Sequence, residues 1–247
     1  MLINLLVGLA LGYCGLCAAL FVLQRSLLYF PTPGTVRRGA TMLTLQRGPE
    51  RVLVSTLPNG GPDALLYFGG NAEDVSFTLP ELRAAFPDHA LYLLHYRGYG
   101  GSSGNPSEAA LSGDALALFD QVQAAHPNIV LIGRSLGSGV AVRLASLRPV
   151  ARLILVTPFD SMQDIAARLF PYLPVRWLLL DKYETWRYAP GVTAPTLIIA
   201  AERDDVIPRA STELLLTRFN KALVQYAVVP GADHNNIDYL PLLKNGR

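Results

Sequence analysis

The chain has 247 residues, of which 51% are hydrophobic and 16% are charged, and its formal net charge is +2 at pH 7. This balance excludes a disordered tail, a basic nucleic-acid-binding arm and an acidic solvating segment. Setting aside an apolar N-terminal segment of about thirty residues leaves roughly 215, a length that suits one α/β domain better than two small ones.

A long apolar run opens the chain. No charged side chain precedes Arg25, and residues 2–28 contain the stretch of about 20 apolar residues that a helix needs to cross a bilayer core. A cleaved signal peptide would need a basic segment before the run and a small-residue cleavage site at its end, and this sequence has neither. We therefore predict an uncleaved, single-pass transmembrane anchor over residues 1–30, followed by a linker over residues 31–40 that is rich in Pro and Gly.

Two cysteines and three arginines add to this interpretation. Cys14 and Cys17 lie inside the run, and no further Cys or nearby His completes a zinc or redox site, so we interpret them as small residues of a membrane helix. Arg25, Arg37 and Arg38 follow the run while no basic side chain precedes it. This asymmetry favours a C-terminal domain on the cytoplasmic side of the membrane.

Short apolar runs alternate with longer helical patterns over residues 41–247, which we predict to form the folded domain. The first two runs flank a Gly-Pro turn and predict an antiparallel hairpin. The later alternation predicts a mostly parallel, doubly wound α/β sheet with helices on both faces. The predicted strands cover residues 41–45, 51–57, 64–68, 90–95, 128–132, 151–157, 196–200 and 222–229, and helices are predicted over about 74–86, over 107–125 and between the fifth and sixth strands.

Residues 159–195 depart from this alternation. They contain no clear strand pattern, but they include several prolines and a bulky apolar stretch around Trp177. We predict an inserted helical cap over one end of the sheet. Trp177, Trp186 and Tyr183 are interpreted as the core of this cap, and Asp181 as a structural pairing residue.

The strongest chemical signal is a serine between two glycines. Residues 128–139 run from an apolar strand into a G-x-S-x-G pattern and then into a helical pattern. A nucleophilic serine on such a strand-to-helix turn needs glycine on either side, because a side chain there would collide with the neighbouring strand and helix. The turn presents the Ser135 hydroxyl near a helix start, whose amide groups can stabilise an oxyanion.

A serine nucleophile needs a general base, most often histidine. The chain has four candidates, of which His89, His95 and His126 are explained by turn or helix-capping roles. His234 follows the last predicted strand, and it alone comes after Ser135, as the chain order serine, acid, histidine requires. We therefore predict that His234 is the base.

The acid that orients the imidazole should lie between the serine and the histidine, at the end of a strand. Glu202, Asp204 and Asp205 all follow the strand predicted over residues 196–200. Glu202 is closest to the strand and could simply pair with Arg203. Spacing alone does not separate Asp204 from Asp205.

A nucleophile turn, an acid segment and a histidine in this chain order resemble the α/β-hydrolase superfamily. The motifs LYFGGNA at residues 66–72, HYRGYGGSSG at 95–104 and TPFDSM at 157–162 are similar to those of the Bem-like membrane-anchored group. Relatives in that group include depalmitoylating thioesterases and lysophospholipases. The similarity extends over essentially the whole chain, from the anchor to His234.

The resemblance implies roles for several residues. The family acid belongs to a D-x-x-[VI]-P segment, which here falls on Asp204. The backbone N–H groups of Asn71 and Leu136 would form the oxyanion hole. Gly69 stands where the family usually has histidine, and we expect the loop to be more mobile without that ring. The resemblance implies no metal and no organic cofactor.

The loop over residues 97–104 is rich in glycine. We interpret its glycines as residues that let the chain turn sharply, with Tyr96 and Arg97 packing around the site. Phosphate binding is the alternative, but no Lys-Ser/Thr pair follows as it does in a P-loop.

Together these features predict a membrane-anchored serine hydrolase that cleaves carboxylic esters or thioesters through an acyl-enzyme. Lipid or acylated substrates would suit an apolar cap beside a membrane, and no feature points to nucleic acid. Two alternatives remain: a serine peptidase of the same fold, and a catalytically silent membrane scaffold. Retention of all three triad residue types argues against the scaffold.

Overall fold

The computed structural model describes residues 1–34 and 41–244. Part of the predicted linker, with Arg37 and Arg38, lies outside the described residues. Single 3₁₀ turns cover Val75–Phe77 and Ala189–Gly191. The strands are β1 (Thr41–Arg47), β2 (Glu50–Leu57), β3 (Asp63–Phe68), β4 (Ala90–Leu94), β5 (Asn128–Arg134), β6 (Arg152–Val156), β7 (Thr196–Ala201) and β8 (Val224–Val229). The helices are α1 (Leu2–Leu28), α2 (Leu79–Ala85), α3 (Glu108–Gln123), α4 (Leu136–Ala145), α5 (Met162–Leu169), α6 (Val175–Leu178), α7 (Thr185–Tyr188), α8 (Arg209–Leu216) and α9 (Leu240–Lys244).

The strands form one sheet in the order β1-β2-β4-β3-β5-β6-β7-β8. The pairs β1-β2 and β2-β4 are antiparallel, and all the others are parallel. β3 and β7 are buried along nearly their whole length, because helices pack on both faces of the sheet. The predicted mostly parallel, doubly wound sheet is therefore confirmed, and the loops that follow its parallel strands share one edge.

The segment predicted as one helix over residues 74–86 is divided in two, so that prediction was wrong. A 3₁₀ turn comes first, and α2 begins only at Leu79. Pro80 fits the first turn of α2, but its ring and missing N–H prevent α2 from continuing the preceding turn. Asp74 caps that turn by accepting a hydrogen bond from the Ser76 amide at 3.0 Å.

The loop after β4 turns at glycines, as predicted. Gly98, Gly100, Gly101 and Gly104 all have positive φ. A Cβ at Gly100 would lie 1.9 Å from Nδ1 of the buried His95, so the turn and the ring depend on each other.

His95 gives a prediction for the pH dependence of stability. Its Nε2 lies 2.8 Å from Ser55 Oγ, and burial lowers its pKa below the ordinary value of 6.5, although the charge of Asp74 opposes that shift. Between the lowered folded-state pKa and about 6.5, only the unfolded chain binds the proton, so the free energy of unfolding falls as the pH falls through this range. We expect the unfolding midpoint of the wild type to drop more, between about pH 7 and about pH 5, than that of His95→Gln. Equal drops in a thermal scan would contradict this assignment.

The C-terminal half of α1 packs against the cap, here defined as residues 159–195 between β6 and β7. Gln24 Oε1 accepts a hydrogen bond from the Leu180 amide at 2.7 Å. Arg25 Nε donates to Asp181 at 2.9 Å, and Asp181 is buried. Asp181 is thus a pairing residue, as predicted, and its partner is on the N-terminal helix.

The cap is built from α5, α6 and α7, and one prediction about its core was wrong. Tyr183 is buried and Trp186 is half-buried, but the side chain of Trp177 is 87% exposed. The reason is that α6 is a single turn with no buried residue. Its neighbours Val175 and Leu178 face α1, whereas Trp177 faces away from the domain.

Candidate active site

Ser135 lies in a sharp turn between β5 and α4. Its φ of +49° and ψ of −116° are unusual for a residue with a side chain and cost about 1–3 kcal/mol. The turn is held by neighbouring elements, because Ser135 N donates to Val156 O on β6 at 2.8 Å and Ser135 O accepts from Ser138 N on α4 at 2.9 Å. The hydroxyl is thereby fixed at the edge of the sheet where the parallel strands end.

The glycines on either side of Ser135 leave no room for a side chain. A Cβ at Gly133 would lie 2.5 Å from Gly137 O on α4, and a Cβ at Gly137 would lie 2.0 Å from Phe68 O on β3. The G-x-S-x-G pattern therefore lets α4 and β3 approach the turn closely, which is the reason inferred from the sequence.

We expect Gly137→Ala to lower the free energy of unfolding by about 3 kcal/mol or more, because the backbone of β3 would have to move. Gly113→Ala on α3 is the matched control. Its new methyl group would meet nothing closer than Arg47 Nη2 at 3.7 Å. Alanine within a helix should raise stability by up to about 1 kcal/mol. Thermal unfolding followed by circular dichroism measures the stability of both variants. Equal unfolding midpoints would contradict the close approach of Gly137 to β3.

His234 connects Ser135 to Asp204 through its two ring nitrogens. Its Nε2 lies 2.9 Å from Ser135 Oγ, and its Nδ1 lies 2.8 Å and 3.0 Å from the two carboxylate oxygens of Asp204. The His234 and Asp204 side chains are only 7% and 4% exposed. The three residues follow β5, β7 and β8, so the topology of the sheet brings together residues that are far apart in the chain.

Only one of the three carboxylates after β7 contacts His234. Oδ1 of Asp204 also accepts the backbone N–H groups of Val206 and Ile207, at 3.0 Å and 2.7 Å, which fixes the carboxylate toward the ring. Asp205 is exposed, and Glu202 instead accepts a hydrogen bond from the Gly231 amide at 2.7 Å.

The two predicted oxyanion-hole residues, Asn71 and Leu136, each lie next to a residue of the candidate site. Leu136 is the first residue of α4, so its amide lies at a helix N-terminus. Asn71 is held by its side chain, because Nδ2 donates to Leu28 O at 2.6 Å and Oδ1 accepts from Tyr99 Oη at 2.7 Å. Gly70, just before Asn71, approaches Ser135 so closely that its Cβ would lie 3.7 Å from Ser135 Cβ.

Gly69 is tightly enclosed in this loop. A Cβ atom at Gly69 would lie 2.5 Å from Val75 Cγ1. The histidine that the family named above usually has at this position would therefore not fit here. Tyr96 Oη donates to Gly69 O at 2.9 Å. The greater mobility expected of the loop stays a prediction, but the hydrogen bond from Tyr96 holds its first residue in the absence of a histidine ring.

Glu73 and Arg134 form a partly buried ion pair next to the site, and sequence reasoning missed both. Glu73 Oε2 accepts from the Gly70 amide at 2.7 Å and from Arg134 Nη1 at 3.2 Å. Arg134 Nη2 donates to His234 O at 3.3 Å. Burial alone would lower the pKa of Arg134, but the Glu73 carboxylate raises that pKa above its ordinary value, so Arg134 stays charged. This pair links the Asn71 loop to the His234 loop.

The local sequence carried one weak signal for this pair. Arg134 occupies the variable position between Gly133 and Ser135, where a charged side chain emerges from a buried strand. No spacing rule connects it to Glu73, which is 61 positions away in the chain.

The arrangement can activate a hydroxyl. A buried carboxylate beside Nδ1 favours the histidine tautomer whose Nε2 accepts the proton of the Ser135 hydroxyl. The amide of Leu136, at the N-terminus of α4, can bind negative charge that develops on a carbonyl beside Ser135, and the amide of Asn71 is the second candidate donor. Within residues 1–34 and 41–244, no group of three or more His, Cys, Asp or Glu side chains is arranged to hold a metal ion.

Residues 52–195 match the model of the alpha/beta hydrolase family. An uncharacterized protein of Mycobacterium tuberculosis is 37% identical over 96% of this chain and 88% of its own length. Protein bem46 of Schizosaccharomyces pombe is 29% identical over 75% of this chain and 65% of its own length. The lysophosphatidylserine lipase ABHD12 of Xenopus tropicalis is 31% identical, but the match covers 64% of this chain and only 46% of that protein.

Solved structures show a similar fold at low sequence identity. The esterase Est1E of Butyrivibrio proteoclasticus, with ferulic acid bound, superposes with a TM-score of 0.68 at 14% identity, covering 82% of this chain and 95% of that one. A thioesterase domain from the curacin biosynthetic pathway gives a TM-score of 0.62 at 15% identity, covering 84% and 99% of the two chains.

Proposed function

Because this chain belongs to the alpha/beta hydrolase family, we propose that it is a membrane-anchored serine hydrolase that cleaves carboxylic esters or thioesters. The observation that carries this proposal is the continuous hydrogen-bonded path from Ser135 Oγ through His234 to Asp204. The family establishes a hydrolase fold, and the three residues of this path are the types that would serve as nucleophile, base and acid in acyl transfer.

In the proposed reaction, Ser135 Oγ attacks the acyl carbonyl while His234 Nε2 accepts the hydroxyl proton. Asp204 holds Nδ1 and stabilises the imidazolium that forms. The backbone amides of Asn71 and Leu136 bind the oxyanion, and the leaving alcohol or thiol receives its proton from His234. Water, deprotonated by the same nitrogen, then cleaves the acyl-enzyme and restores the serine.

The helix α1 supports membrane anchoring. It is 27 residues long with a mean hydropathy of 2.3 over its most apolar window, and no residue of it is buried in the fold. A signal peptide near an N-terminus has the same composition. Retention is favoured by the contacts of its C-terminal end, because cleavage would remove Arg25, which pairs with Asp181, and the Leu28 carbonyl, which binds Asn71. The predicted cytoplasmic placement of the domain stays a prediction.

A kinetic experiment on the full chain in detergent micelles tests the proposal. We expect p-nitrophenyl butyrate to give a burst of p-nitrophenol no larger than the enzyme concentration, followed by slower turnover, because an acyl-enzyme forms before water attacks. A butyryl thioester should also be cleaved. His234→Gln should remove both the burst and the turnover. Absence of hydrolysis of both substrates by the wild type would refute the proposed activity.

A further inference from the structure

A cavity of about 330 Å³ lies between α1 and the cap. Leu20, Gln24, Leu27 and Leu28 form its wall on α1. The opposite wall comes from cap residues between 166 and 179, including Ala166. The N-terminal helix therefore forms one side of a partly open cavity, and is not only a tether.

The lining of this cavity is apolar. Of the described residues that form it, only Gln24 has a polar side chain, and its amide is already engaged with protein. Gln24 Nε2 donates to Phe21 O at 2.7 Å and to Leu178 O at 3.1 Å, while Oε1 accepts from the Leu180 amide. A polar ligand would lose its hydrogen bonds to water without replacing them, so the cavity suits an unbranched hydrocarbon chain.

The cavity adjoins the proposed oxyanion hole. Leu28, which lines the cavity, accepts a hydrogen bond through its carbonyl from Asn71 Nδ2, and the Phe30 amide donates to Asn71 Oδ1 at 3.1 Å. Asn71 is thus bound on one side by the end of α1, and Gly70 beside it faces Ser135. A chain in the cavity would therefore lie beside the segment that binds Asn71.

We propose that α1 is a wall of the substrate site, and that this cavity binds the long acyl chain of an ester or thioester whose carbonyl lies at Ser135. This inference rests on the proposed hydrolase function, and it names the substrate class of the same site. The rest of α1 is an exposed apolar surface, so the chain enters from lipid and not from water.

Substitutions that fill the cavity test this proposal. Leu27→Trp fills it from α1 and Ala166→Trp from the cap, and either variant serves if the other folds poorly. Val22→Trp and Ala167→Trp are matched controls on the same two helices, at positions that do not line the cavity. We expect the ratio of kcat/KM for p-nitrophenyl decanoate to that for p-nitrophenyl acetate to fall at least about tenfold in the filling variants and to keep its wild-type value in the controls. Equal ratios in all four would overturn the proposal.

A binding measurement separates failure of this inference from failure of the proposed activity. In the Ser135→Ala background, the full chain in micelles should bind cis-parinaric acid, a fluorescent unbranched fatty acid. Adding Leu27→Trp should weaken that binding at least about tenfold, and adding Val22→Trp should not. If esters are hydrolysed but cis-parinaric acid does not bind, the proposed activity is supported and the acyl-binding role of the cavity is refuted. If the fatty acid binds but no ester is cleaved, only the proposed activity fails.

A second inference comes from a different observation, the apolar rim of the cap, defined here as Leu169, Phe170, Tyr172, Trp177 and Leu180. All five side chains are exposed, and Tyr172 and Trp177 are nearly fully so, at 89% and 87%. Large apolar side chains clustered on one exposed segment mark an interaction surface. Aromatic residues of this kind are enriched where proteins meet the lipid interface.

The position of the rim along α1 indicates that lipid covers it. Tyr13 Oη donates to Tyr172 O at 2.8 Å, and Tyr13 precedes the end of α1 at Leu28 by 15 residues, or about 22 Å at 1.5 Å per residue. A bilayer core is only about 30 Å thick. We infer that, when α1 is inserted, the rim is immersed in the hydrocarbon core of the bilayer and contacts acyl chains directly.

Tryptophan fluorescence tests this placement without using activity. The chain has two tryptophans, so Trp186→Phe leaves Trp177 alone and Trp177→Phe leaves Trp186 as the matched control. In phosphatidylcholine vesicles with spin-labelled acyl chains, Trp177 should be quenched strongly. Trp186, which packs against Arg187 and Arg218, should be quenched little. Equal quenching of the two, or a chain that does not float with the vesicles, would overturn the inference.

Discussion

Ser135→Ala is expected to lower kcat for p-nitrophenyl butyrate by about 10⁵-fold or more. The variant retains the His234–Asp204 pair and both backbone amides, but it has no hydroxyl to attack the carbonyl. Any residual rate would come from water attacking a substrate that is still bound and polarised. Release of p-nitrophenol under saturating substrate measures the effect directly.

The control for this variant is Ser146→Ala at the end of α4. Ser146 Oγ donates to Arg143 O at 2.8 Å, far along the helix from the candidate site, so its loss should leave the rate close to that of the wild type. A Ser135→Ala enzyme that retained a tenth or more of the wild-type rate would show that another group is the nucleophile.

Asp204→Asn is expected to lower kcat by about 10⁴-fold with little change in KM. An asparagine amide would donate toward Nδ1 of His234, which favours the tautomer that has its proton on Nε2. That nitrogen could then no longer accept the proton of Ser135 Oγ, 2.9 Å away. Release of p-nitrophenol from p-nitrophenyl butyrate measures this effect as well.

The neighbouring aspartate supplies a matched control. Asp205→Asn makes the same chemical change one residue along the chain, on an exposed side chain without a contact to His234 among the described residues. Its rate should remain within about threefold of the wild type. A large loss in Asp205→Asn together with a small loss in Asp204→Asn would reverse the assignment of the acid.

The candidate site could be predicted from sequence because its signals are local. Ser135 has a steric signature in its flanking glycines, and His234 is the only histidine after it. The parallel strands then bring these residues together, because the loops that follow such strands lie at the same end of the sheet. Choosing Asp204 over Asp205 depended on the resemblance, since two adjacent carboxylates differ only in where a turn directs them.

The contacts that support the site could not be predicted, because they join distant segments without a pattern. Glu73 and Arg134 meet across 61 residues, and neither has a fixed spacing to the other or to His234. The exposure of Trp177 was missed for a similar reason. An apolar stretch indicates that its side chains are covered, but composition does not show whether the sheet, α1 or lipid covers them.

The N-terminal helix shows the same limit. Its length and hydropathy predict a membrane anchor. They give no sign that the helix contacts the domain that follows. The structure joins the two through Arg25 and Asp181, and through Asn71 and the carbonyl of Leu28. The proposed membrane anchor and the proposed oxyanion hole are therefore in direct contact, which hydropathy alone does not reveal.

Labelling with a fluorophosphonate probe tests the central claim most directly, because the probe reacts covalently with an activated serine and requires no knowledge of the natural substrate. The full chain in micelles should be labelled in a one-to-one ratio. Ser135→Ala should not be labelled, and His234→Gln should be labelled far more slowly. Equal labelling of the wild type and Ser135→Ala would contradict the account.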